Sequence, residues 1–80
     1  MECVTFVEQM KSKINIEFGN RIVELRKKAG LTQDELAFRS NIHRAYMGTI
    51  ERGEKSVTLN TIEKIAAGLD VNVKDLFNWD

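Results

Sequence analysis

The side chains best suited to specific polar recognition fall within one stretch of this sequence, from Gln33 to Lys55. The Arg44 guanidinium has the donors for a bidentate pair with guanine O6 and N7, and the methyl groups of Ala45 and Thr49 can contact thymine. These three residues are therefore candidate readers of bases in duplex DNA. A contact with phosphate is the alternative role for Arg44.

Other residues of this stretch have the chemistry of phosphate contacts. Cations neutralise phosphate charge, and polar side chains that donate to phosphate oxygens fix the orientation of a protein on the duplex. The alternative for each of them is a solvated or structural side chain, and only clustering on one face would favour DNA. The candidates for DNA-backbone contact or bracing are Gln33, Arg39, His43, Tyr46, Arg52 and Lys55.

The sequence contains no set of residues suited to catalysis. The sequence has one cysteine and one histidine, too few for the usual zinc ligand sets. It shows neither a glycine-rich phosphate loop nor a nucleophile beside a base in a suitable context. We therefore expect a protein that is not an enzyme and that needs no cofactor, metal or small-molecule ligand.

Length and composition predict one folded domain with an uneven charge distribution. The chain has 80 residues, of which 42% are hydrophobic and 30% charged, and its formal net charge is zero. A net charge of zero argues against binding to nucleic acid, which favours basic proteins. Residues 21–55, however, hold eight Lys or Arg against five Asp or Glu. No apolar run could span a bilayer, and the N-terminus lacks the basic segment of a signal peptide. We expect a cytoplasmic protein.

Apolar spacing and caps predict an all-α fold of five helices. Gly30 is suited to end the first helix in a left-handed conformation, and Thr32 with Glu35 forms a capping box at the start of the second. Met47 and Ile50 share the inward face of the third helix. The predicted helices are Ile16 to Lys28, Gln33 to Ser40, Arg44 to Arg52, Leu59 to Ala67 and Val73 to Asn78.

The predicted domain organisation is simple. Residues 1–14 form an N-terminal arm or a short extra helix, with a partly frayed extension as the alternative. Residues 15–80 form one domain that contains a helix-turn-helix, with its second helix at 33–40 and its recognition helix at 44–52. The recognition helix is the one that can enter a major groove.

The stretch LTQDELAFRSNIHRAYMGTIERGEKSVTLNTIEKIAAGLDV resembles the phage-repressor-like (Cro/repressor, XRE-type) helix-turn-helix family. The resemblance covers about Phe18 to Phe77 and implies a lambda-repressor-like DNA-binding domain. The short length and the His43-Arg44-Ala45-Tyr46 start of the third helix look most like the controller proteins of restriction-modification systems. The resemblance also implies a structural ion pair between Arg26 and Glu51, and a Gln33 that donates to phosphate or braces the recognition helix.

A regulator of this family is expected to act as a homodimer on a palindromic operator, because one such domain reads only a few base pairs. RNA polymerase is a further candidate partner, whether the protein represses or activates. The alternative for each proposed interface residue is that it closes the core. The predicted dimer interface consists of Val57, Leu59, Val71, Val73, Phe77 and Trp79.

The competing function is that of an antitoxin or phage-type repressor whose main partner is another protein. An exposed apolar N-terminal arm that includes Phe6 and Val7 would favour it. Both functions retain the helix-turn-helix, so they differ in the partner and not in the fold.

Overall fold

The computed structural model describes residues 12–79, and every element in that range is helical. The all-α prediction is confirmed. The fifth predicted helix is present as a 3-10 helix of five residues, so residues 12–79 hold four α-helices and one 3-10 helix. In chain order the elements are α1 (Lys13–Lys28), α2 (Gln33–Arg39), α3 (Arg44–Glu51), α4 (Leu59–Leu69) and the 3-10 helix (Val73–Phe77).

Helix α1 begins one turn earlier than the apolar spacing predicted. The Ser12 side chain accepts a hydrogen bond from the Asn15 backbone N–H and caps the helix, so Lys13 and Ile14 belong to α1 and not to the arm. The helix ends as expected at Lys28, shortly before Gly30, which has φ of 75°. Residues 1–11, which hold most of the predicted arm, lie outside the described residues.

Local hydrogen bonds define the ends of α2 and the start of α3. Thr32 Oγ1 accepts from the Glu35 N–H at 3.1 Å, and the Glu35 carboxylate accepts from the Thr32 N–H at 2.8 Å. The hydrogen bond from the Thr32 backbone N–H and the nearby Thr32 hydroxyl lower the pKa of Glu35. Asn41 has φ of 57° in the turn that follows α2, and α3 begins at Arg44. Both helices end one residue earlier than predicted.

One hydrophobic core joins the four helices and the 3-10 helix. Helix α2 packs against α3 and α4, α1 packs against α3, and the 3-10 helix covers α1 and α4. The predicted inward residues Met47 and Ile50 are both buried. No helix among residues 12–79 is long and apolar enough to cross a membrane. The largest fully buried side chains are Ile22, Leu36, Met47, Ile50, Ile65 and Leu76.

Gly19 allows α1 to approach the end of α3 very closely. A Cβ at this position would lie 2.5 Å from the carbonyl oxygen of Ile50 and 2.6 Å from that of Glu51. Both neighbours are backbone atoms and cannot move aside as a flexible side chain could. The crossing of α1 and α3 therefore requires glycine at this position.

We expect Gly19→Ala to lower the free energy of unfolding by about 1–3 kcal/mol, the usual cost of overpacking. Urea denaturation measures the change. The control is Asn20→Ala, which leaves an alanine side chain at the next, exposed position of α1 and should change stability by less than about 0.5 kcal/mol. Equal effects of the two substitutions would contradict the close approach.

Candidate nucleic-acid interface

A buried carboxylate holds the end of α3 against α1 and α2. Arg26 of α1 donates to Glu51 through Nε at 2.8 Å and Nη2 at 3.1 Å. Gln33, the first residue of α2, donates to the same carboxylate at 2.9 Å. The side chains of Arg26 and Glu51 are only 13% and 5% exposed. This network fixes where α3 lies and which of its faces is open.

The open face of α3 carries the three predicted base readers. Arg44 and Ala45 are exposed and Thr49 is half-buried, whereas Met47 and Ile50 face the core. The Thr49 hydroxyl donates to the Tyr46 carbonyl at 2.7 Å, so its methyl group and oxygen lone pairs are what it can offer to a ligand. The structure thus brings the three residues to one side of a short helix.

Gly48 gives two polar side chains room beside α3. A Cβ on Gly48 would lie 3.2 Å from the Arg52 guanidinium and 3.6 Å from the Gln33 amide oxygen. The Gln33 side chain therefore lies close to the α3 backbone and reaches Glu51. The structure uses its amide nitrogen as a brace, which is one of the two roles that the sequence suggested.

His43 and Tyr46 have structural contacts at the start of α3. His43 Nδ1 accepts from the Ala45 backbone N–H at 3.2 Å and caps the helix, so only Nε2 remains for a phosphate. Tyr46 is half-buried and its side chain packs against the core. Each residue therefore lies at the edge of the open face with one part of its side chain already engaged.

The predicted phosphate-binding cations differ in how far they are engaged. Arg39 donates through Nε to the Gly68 carbonyl of α4 at 2.8 Å. Arg52 makes two hydrogen bonds to Glu54, at 3.0 and 3.2 Å, and these raise its pKa. Lys55 is exposed. Bracing was one of the two roles suggested for Arg39, but its partner could not be named from the sequence, because no spacing links it to a carbonyl 29 residues away.

The six predicted interface residues do not lie in a single groove. Val57 and Phe77 line one groove together with Ile14 of α1, and Trp79 packs against the Phe77 ring at 5.9 Å. Val71 lines a separate groove between α1 and α4. Val57, Val71 and Trp79 pack against the core, which supports the core-closing alternative for these three. Leu59, Val73 and Phe77 are exposed.

Ile14 was missed as a candidate for this surface because the first helix was predicted to begin at Ile16. Its side chain is exposed at the first turn of α1 and lines the same groove as Val57 and Phe77. The signal that could have found it is Ser12, a favourable N-cap residue. Phe6 and Val7 of the predicted arm lie outside the described residues.

Residues 22–76 match the family described as "Helix-turn-helix". The chain belongs to this family of DNA-binding transcription regulators. It is similar to the control protein C.BamHI of Bacillus amyloliquefaciens, with 39% identity over 71 residues that cover 88% of each chain.

Solved structures of restriction-modification controller proteins have the same fold. The C.AhdI controller from Aeromonas hydrophila superimposes with a TM-score of 0.81 at 42% identity and covers 82% of this chain and 100% of its own. The C.Esp1396I protein bound to a 19 base pair DNA duplex gives a TM-score of 0.77 at 33% identity, covering 82% of this chain and 88% of its own.

Loss of the Glu51 carboxylate should be strongly destabilising. We expect Glu51→Ala to lower the free energy of unfolding by about 3–5 kcal/mol, because it leaves the buried Arg26 guanidinium without its partner. The matched control is Glu24→Ala, which breaks the exposed pair with Arg21 on the same helix as Arg26 and should cost less than about 1 kcal/mol. Urea denaturation monitored by circular dichroism measures the free energy of unfolding of both variants. Similar decreases would contradict a dominant contribution of the Glu51 network to stability.

Proposed function

We propose that this protein is a sequence-specific transcription regulator that binds a palindromic operator as a homodimer and controls the genes of a restriction-modification system. The observation that carries the proposal is the fixed position of α3, whose open face presents Arg44, Ala45 and Thr49. Recognition helices of this kind read base edges in the major groove. The similarity to controller proteins supports a restriction-modification system as the one that this protein regulates.

In this proposal the residues divide between base reading and backbone contact. Arg44 pairs with a guanine, and Ala45 and Thr49 contact thymine methyl groups. The side chains around them position the protein on the phosphates without reading sequence. The residues proposed for backbone contact or for bracing are Gln33, Arg39, His43, Tyr46, Arg52 and Lys55.

A homodimer gives two recognition helices, which reach successive major grooves about one helical turn apart. A 19 base pair duplex, the length bound by C.Esp1396I, is close to two turns and can hold two such half-sites. Exposed apolar side chains supply a surface for pairing, among them Ile14, Phe77 and Leu59. The proposed place of action is the cytoplasm, and RNA polymerase is a proposed partner at the promoter.

A function centred on a protein partner, as in an antitoxin, has one specific observation in its favour. Phe38 on α2 is 88% exposed, and it lines a shallow groove with Leu31, Asp34 and Glu35. An aromatic ring so exposed is a common feature of protein-binding surfaces. Under this alternative the open face of α3 would not select one DNA sequence.

Selection of duplexes from a random pool at near-physiological salt tests the proposal. We expect one palindromic site that binds two subunits. Arg44→Ala should remove the preference at one base pair of each half-site, worth about 1–3 kcal/mol of discrimination. The control Lys64→Ala removes an exposed cation from α4 and should leave every base preference intact. If no sequence is enriched and the residual binding disappears with modest added salt, the proposal fails.

Leu59→Glu tests the dimer surface without disturbing the core, because the Leu59 side chain is 83% exposed. A glutamate at the first position of α4 is also compatible with the helix dipole, so the fold should remain intact. We expect the dimer to dissociate more readily in sedimentation experiments, and operator affinity to fall with it. The control Phe38→Glu changes an equally exposed apolar residue on α2 and should leave dimerisation unchanged, whereas an unaffected Leu59→Glu dimer would exclude this residue from the interface.

A further inference from the structure

The proposed base reader Arg44 has a carboxylate beside it on the neighbouring helix. Arg44 Nε lies 3.4 Å from Asp34 Oδ1, which joins the first residue of α3 to the second residue of α2. Both side chains are well exposed, at 69% and 68%. Asp34 was not among the site residues predicted from sequence, since nothing in the spacing of the two residues indicates that they meet.

The contact engages only one edge of the guanidinium. Among residues 12–79, Arg44 Nη1 and Nη2 donate no hydrogen bond to a protein acceptor. A bidentate pair with guanine needs two parallel N–H donors in a fixed plane. With the Nε edge turned toward Asp34, the Nη1 and Nη2 fork is the part of Arg44 that remains available to a base.

We propose that Asp34 is a positioning residue that holds Arg44 for reading a base and keeps it off the DNA backbone. The inference rests on the proposed function, in which Arg44 reads sequence. A flexible arginine can satisfy its donors on phosphate oxygens, which carry no sequence information. A carboxylate beside it opposes that alternative, because its own negative charge is repelled by phosphates.

Asp34 therefore raises specificity and lowers general affinity. Specificity is a difference between affinities, and weakening the wrong complex increases it as surely as strengthening the right one. The effect has to be modest, because an exposed ion pair supports only a small interaction energy. It should appear as a change in base preference more clearly than as a change in total affinity.

A purely structural role for Asp34 is the competing explanation. Carboxylates are favourable in the first turn of a helix because they interact with its dipole, and Asp34 shares that turn with Glu35. If this were its only role, replacing Asp34 would weaken binding to all sequences by the same factor. Glu35 offers a matched comparison, because its carboxylate pairs with Thr32 rather than with Arg44.

The experiment measures binding of the full chain to the selected operator and to three variants that differ at the base pair assigned to Arg44. We expect Asp34→Asn to reduce the ratio of affinities between the preferred and the other base pairs by about two- to fivefold, the range of an exposed ion pair. Affinity for an unrelated duplex should rise. Asp34→Glu should restore part of the preference, and Glu35→Gln should leave the ratios unchanged.

Combining Asp34→Asn with Arg44→Ala separates this inference from the proposed function. If Asp34 acts through Arg44, the double variant has the base preferences of Arg44→Ala alone. A wild-type preference that is lost in Arg44→Ala but fully kept in Asp34→Asn overturns the positioning role and leaves the proposed function intact. A wild-type protein with no preference at this base pair removes the role of Arg44 as reader, and the inference falls with it.

Discussion

The position of α3, the proposed recognition helix, depends on a single buried carboxylate. Glu51 accepts three hydrogen bonds, two from Arg26 and one from Gln33, so α1, α2 and α3 meet at one side chain. A buried charge is tolerated only when it is paired and hydrogen-bonded. Helix α3 has eight residues and is too short to be stable alone. Its orientation therefore comes from this network and from the burial of Met47 and Ile50, not from its own helix propensity.

Small residues let that carboxylate reach its partners. Gly19 brings the backbone of α1 against the last carbonyls of α3, and the Gln33 side chain lies beside Gly48 of α3. At Gly53, which ends the helix with φ of 73°, a Cβ would meet the backbone of Ile16 at 2.8 Å. Gly19 and Gly53 lie where two chain segments approach too closely for a side chain, whereas a Cβ at Gly48 would meet only the ends of polar side chains. Close backbone contact and the buried network are two parts of the same constraint.

The features that could be predicted from sequence are those whose cause lies within a few residues. The Thr32 and Glu35 capping box, the left-handed Gly30 and the inward face of α3 all follow from neighbours along one helix. What could not be predicted depends on distant segments that meet only in the fold, such as Arg39 with Gly68 and Asp34 with Arg44. The proposed interface residues show the same limit, because burial of Val57, Val71 and Trp79 depends on the packing of α1 against the C-terminal half. The early start of α1 could have been predicted from Ser12, which is a favourable N-cap residue, but the apolar spacing indicated a later start.

Three of the arginines at and behind the proposed DNA surface are paired with carboxylates, which lowers the positive charge of that surface. Arg26 pairs with Glu51, Arg44 with Asp34, and Arg52 with Glu54, so an acid accompanies a guanidinium at each of three places. Such pairing reduces the long-range attraction to phosphates that dominates non-specific binding. Because an operator competes with a very large number of other sites, the ratio of specific to non-specific affinity matters more than total affinity. A neutral chain with paired arginines is therefore compatible with DNA recognition that relies on base contacts and on two linked subunits, and less on general electrostatic attraction.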